Sequence, residues 1–186
     1  MDNLVPATSR RVSTGAPLPS AISSREVTLA ALWIAHDAEP VELLRTHEGR
    51  DLSRERYRRA EEFKLALDAS GNWPDFLYCS GIVAQLALSS HLLDVGFPDT
   101  WCARYIGLNV DRSLAYANAS GLGYKCAKTA RLVKVLSPYW KWNCRHLIDS
   151  PRPSDGAFEA DDVRALLNAL LAQICHVTGH RQARKV

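Results

Sequence analysis

Phe76-Leu-Tyr-Cys-Ser-Gly-Ile-Val-Ala-Gln-Leu-Ala-Leu-Ser-Ser-His-Leu-Leu93 runs for 18 residues without a charged side chain. Asp75 before it suits a helix N-terminus, and Gly96 and Pro98 after it suit a helix end, so the stretch predicts one helix over 75–95. Its length touches the lower limit for a membrane span. Ser80, Gly81, Gln85, Ser89, Ser90 and His91 dilute it, and a buried core helix is the better reading. A helix apolar on every face needs cover on every face. The expected fold is therefore all-α, a single domain of about six to seven helices packed around this central one.

Working outward, Ser53 to Ala69 has Tyr57, Ala60, Phe63 and Leu67 on one stripe. Arg54, Arg56, Arg58, Arg59, Glu61 and Glu62 occupy the remainder, which predicts an amphipathic surface helix with Ser53 as N-cap, ended by Gly71 and Pro74. Upstream, Leu29, Leu32, Trp33 and Ala35 suggest a helix from about Ser24 to Pro40. Downstream, Asp99 and Asn109 are candidate caps for helices through Ile106 and from Val110 to about Ser120. A basic helix is expected from about Tyr124 to Leu136, stopped before Pro138 by the restriction proline places on its neighbour. In the last helix Val163, Leu166, Leu167, Leu170, Leu171, Ile174 and Val177 keep the i, i+3, i+4, i+7 pattern, with acidic residues at its start and Gly179 at its end.

The chain has 186 residues, 47% of them apolar, enough for one core and short for two. Residues 1–23 are rich in Pro, Ser, Thr and Ala without an apolar period and read as a flexible tail; 24–180 read as the helical domain, and 181–186 as a basic C-terminal end. Ser9-Arg10-Arg11 opens like a twin-arginine signal, but no continuous apolar region follows. Five cysteines at 79, 102, 126, 144 and 175 lack any Cys-x-x-Cys pair, which points to reduced thiols and a cytoplasmic location rather than a disulfide scaffold or zinc site.

Net charge is +3, but its distribution is uneven. Residues 1–111 carry 11 Lys/Arg and 15 Asp/Glu, whereas residues 112–148 carry seven Lys/Arg and no acid. Just before and into this block lies Ala103-Arg-Tyr-Ile-Gly107-Leu-Asn109-Val-Asp-Arg-Ser-Leu-Ala-Tyr116, which resembles a helix-turn-helix: a small residue, a glycine four later, an apolar residue, then a capped second helix. The resemblance implies that the helix after Asn109 reads a DNA groove, with Arg112, Ser113 and Tyr116 pointing outward. It departs from the usual pattern in having Ser113 where an aliphatic residue normally anchors, with Leu114 one position later. Lys125, Lys128, Arg131 and Lys134 follow at i+3 spacing, with Lys141 and Arg145 beyond Pro138 and Tyr124, Tyr139, Trp140 and Trp142 interleaved. Cations of this kind suit phosphate backbones and exposed rings suit unpaired bases. An acidic protein surface would be served by the same block.

Catalytic patterns are poorer. His36-Asp37 looks like the histidine-aspartate pair of metal-dependent phosphohydrolases, with His47, His91 and Asp94 as further candidate ligands. His176 and His180 share i, i+4 spacing, but Gly179 separates them at a helix end that should fray, and no metalloprotease glutamate follows. Gly121-Leu-Gly123 before Lys128-Thr129 lacks the glycine a phosphate loop puts ahead of its lysine. Cys144 and His146 are only neighbours in sequence. The expectation is a non-enzymatic regulatory protein that binds nucleic acid through residues 103–145, needing no cofactor and no membrane. The alternatives are a helical inhibitor or adaptor using the basic face, and a metal-dependent hydrolase on His36, Asp37, His91 and Asp94.

Overall fold

The computed structural model describes residues 27–67, 70, 72–142 and 154–180, the side chains of 140–142 excepted. The tail at 1–23, the basic end at 181–186, Cys144, Arg145 and His146 lie outside the described residues. Within them the chain is all-helical, a single domain without strands: α1 (Leu29–Ala35), α2 (His47–Ala66), α3 (Trp73–Val95), α4 (Asp99–Trp101), α5 (Val110–Ala117), α6 (Ala127–Trp142) and α7 (Ala160–Thr178).

α3 is the central element, packed by α2, α5, α6 and α7. By length and composition it could cross a membrane, yet 78% of its most apolar window is buried inside the protein. Leu77, Val83, Ala84, Ala87 and Leu88 are fully enclosed. The helix opens at Trp73 rather than Asp75, because the Asn72 side chain accepts from the Asp75 amide at 3.0 Å and Pro74 sits in the first turn, where its missing N–H costs nothing. Gly96 ends it at φ +108, pressed against the backbone of Leu44.

Further expected boundaries move, among them the start of α2, the span of α1 and the end of α6. α2 begins at His47, with the Thr46 hydroxyl accepting from the Gly49 amide at 3.0 Å, so Ser53 is a mid-helix residue and not a cap. α1 is shorter than the span from Ser24 to Pro40, capped by Thr28 and ended at His36. α6 runs through Pro138. A proline inside a helix costs roughly 3 kcal/mol, and burial of Leu136 and Tyr139 on either side of it offsets that at about 1.5–3 kcal/mol each. The Ser137 hydroxyl also ties this turn down, donating to the Val133 carbonyl and accepting from the Asp111 amide.

α7 matches its periodicity: Val163, Leu167, Leu170, Leu171 and Ile174 are buried, Asp161 and Asp162 lie in the first turn, and Gly179 closes it at φ +72. Between α4 and α5 the chain widens into a π-turn, Cys102–Ile106, closed by the Gly107 amide donating to the Cys102 carbonyl at 2.9 Å.

Candidate nucleic-acid interface

The basic face is set by the period of α6. Leu132, Val133, Leu136 and Tyr139 turn inward, which leaves Lys128, Arg131 and Lys134 exposed on the opposite side, with exposed Lys125 just ahead of the helix. Lys141 falls on the last turn of α6. Among the described residues no carboxylate comes within ion-pair distance of Lys128, Arg131 or Lys134. Several cations of α2 differ: Arg54 meets Asp51, Arg58 meets Glu55 and Glu62, and Lys64 meets Glu61, all at i, i+3 or i, i+4. Arg131 is also held in place, its guanidinium 4.5 Å from the centre of the Phe158 ring.

The second helix of the turn motif turns two of its three outward candidates inward. Its cap is as expected, Asn109 accepting from the Arg112 amide at 2.9 Å, but Ser113 and Tyr116 are fully buried, correcting their outward placement. Ser113 lies between Gln85 of α3 and the Asn109 carbonyl. Tyr116 packs edge-on against Trp101 and Phe97. Arg112 is half-buried and donates to the Tyr105 carbonyl. A short helix wedged against α3 and α6 hides even polar side chains, and a tyrosine ring is mostly apolar surface.

The candidate metal ligands do not converge. Among the described residues no group of three or more His, Cys, Asp or Glu could hold a metal ion. His36 rests against the Tyr116 ring at 5.5 Å, and the exposed Asp37 sits in a left-handed conformation, φ +48. His47 is exposed and paired with Asp51 at 2.9 Å. His91 is buried, its pKa pushed down to about 4 by burial. Asp94 is buried 3.7–3.8 Å from Arg50 and Arg45, which lie at its rim. The described cysteines are free thiols; burial pushes Cys102 up to about 12, which makes it inert as a nucleophile.

One arrangement escapes the sequence patterns. His180 does not fray: it turns back beside Gly179 into the core, with Nε2 2.7 Å from the Ser53 hydroxyl oxygen and its carbonyl accepting from the Cys175 thiol. The available signal is its position two residues past the helix end, where chains commonly fold back onto the last turn. The spacing resembles a serine–histidine dyad, but the Ser53 oxygen is shared among the Ser90 carbonyl at 2.7 Å, the Ser90 hydroxyl at 3.1 Å and Nε2 of His180, a closed polar cluster between helices. Ser53 is also wholly enclosed. The group therefore pins α2, α3 and the end of α7 together. Ser53→Ala should lower folding free energy by about 1–3 kcal/mol by stranding two buried partners, measured by urea denaturation; a change under about 0.5 kcal/mol would show that the contact is dispensable.

Comparison with family models, with curated proteins and with solved structures finds no match to this chain.

Proposed function

We propose that the chain binds nucleic acid along the exposed basic face of α6, through phosphate contacts rather than base edges. The supporting observation is the set Lys128, Arg131 and Lys134, exposed on one helix face with no carboxylate partner among the described residues. Six residues at a rise of roughly 1.5 Å each span about 9 Å, the scale of two to three phosphates along a strand. Stacking on Phe158 reduces what Arg131 loses on binding. Because Ser113 and Tyr116 are enclosed, the reading drops the groove-inserted helix and leaves little discrimination between sequences. A regulatory role follows only through occupancy of the strand.

Fluorescence anisotropy with labelled DNA and RNA oligonucleotides tests this. Three phosphate contacts give a log–log salt slope of about −2.7 on duplex, so affinity should fall on the order of fortyfold from 50 to 200 mM salt. Reversing the three charges, Lys128→Glu with Arg131→Glu and Lys134→Glu, should abolish binding while leaving the helical circular dichroism intact. Unchanged affinity in that variant, or no binding at low salt, sinks the reading. Recovery of a stoichiometric acidic protein without nucleic acid would transfer the face to a protein ligand.

A further inference from the structure

Away from the basic face, α2, α3 and the π-turn enclose a half-open pocket of about 460 Å³. Phe63, Ile82, Leu86, Leu92, Ile106 and Leu108 give it an apolar wall, and Leu108 is a large apolar side chain left half-exposed at its rim. One side of the wall is the π-turn Cys102–Ile106, and Gly107, at φ +58 and ψ −135, takes a conformation open to glycine where the chain passes on to Leu108. Gln85 fixes that geometry from α3, donating to the Gly107 carbonyl at 3.0 Å while the Ser113 hydroxyl donates to its own oxygen.

The polar side of the pocket carries two guanidinium groups in different states. Arg56 is half-buried and neutralised by Asp99, at 3.3 and 3.4 Å from its two oxygens. Arg59 is exposed at the mouth with no ion pair among the described residues. The acids one turn away along α2, Glu55 and Glu62, both pair with Arg58, Glu61 pairs with Lys64, and Arg59 acts on Glu55 only through space. The pocket thus presents apolar surface, one surplus positive charge and a volume within the roughly 300–1,000 Å³ typical of small-molecule sites.

We propose that this pocket binds a small amphipathic monoanion, a carboxylate on an apolar chain, with Arg59 taking the carboxylate and the Phe63, Leu86 and Ile106 wall taking the chain. This site stands independently of the α6 face. A bidentate guanidinium–carboxylate contact supplies orientation, and burial of the chain supplies most of the affinity.

The probes are decanoate, decanol and decylammonium, each kept below its aggregation concentration and titrated calorimetrically into the full-length chain. Decanoate should bind at least about tenfold more tightly than decylammonium, the factor expected from one charge-assisted contact. Arg59→Gln should remove that preference and leave decanol within about twofold, because an exposed side chain at the mouth contributes little to the apolar wall. Ala103→Trp, an exposed lining position where bulk meets no core, should block all three probes while the helical circular dichroism is retained. Equal binding of the three probes, binding insensitive to Ala103→Trp, or no binding of decanoate overturns the proposal. So does a dimer of the chain that Ala103→Trp dissociates, which would give the groove to a second copy.

Discussion

Lowering the pH from 6.5 to about 4 should cost about 3 kcal/mol of folding free energy through His91 alone. His91 is 2% exposed on α3. Burial is the main force on its pKa; Asp94 and the Ala117 backbone oppose it, and Arg45 assists. Between the folded value near 4 and the ordinary 6.5 the unfolded chain binds a proton that the folded chain refuses, so stability rises with pH across that window. It is fully present above 6.5, is lost progressively below, and levels off under 4. His36 and His180 are shifted in the same direction, both chiefly by burial, and deepen the loss. Urea unfolding at a series of pH values measures it. Wild-type stability should fall steeply from pH 6.5 to 4, and His91→Gln should remove the His91 share of that slope. A flat wild-type curve, or an unchanged slope in the variant, would refute the assignment.

Gly96→Ala should be the most damaging small substitution in the fold. A Cβ at this position lands 2.6–2.8 Å from three backbone atoms of Leu44, none of which can rotate away. The residue also sits at φ +108, where an L side chain is strained. Clash and strain together should cost about 3 kcal/mol or more, lowering the thermal midpoint by roughly 6–12 °C in a domain of this size. Gly121→Ala supplies the control: φ is +106, but nothing lies within 4 Å of the new Cβ, leaving backbone strain of about 1–2 kcal/mol. If the two variants melt together, the close approach of Leu44 to the end of α3 is not a constraint on the fold. The contrast matters because Gly96 and Leu44 join the central helix to the irregular segment leading into α2.

Some of the candidate site was readable from residue order alone. Lys128, Arg131 and Lys134 are spaced by three, so any helix there must gather them on one side, and the absence of acid within the block excludes local neutralisation. The outward face of α5 was misread because polarity is an unreliable guide on a short helix. Ser113 finds Gln85, 28 residues away in sequence, and Tyr116 finds an aromatic cage; neither partner has a signature in the surrounding pattern. Pro138 was misread as a stop because its local cost is visible and the buried Tyr139 that offsets it is not.

What the residue order determined by itself is therefore periodic or compositional: a charge-free α3 that must be enclosed, an α7 with one apolar stripe, and an acid-free basic segment. These follow from helical geometry and the cost of exposing apolar surface, which act over a few residues. Tertiary structure alone decided which polar groups go inside, for that depends on partners brought from afar. Ser53 meets Ser90 across 37 positions and His180 across 127. The pocket at Arg59 is of the same kind, since its wall belongs to α2, α3 and the π-turn together. Burial of a polar side chain is tolerated only where a complementary group waits, and only the folded chain brings those groups together.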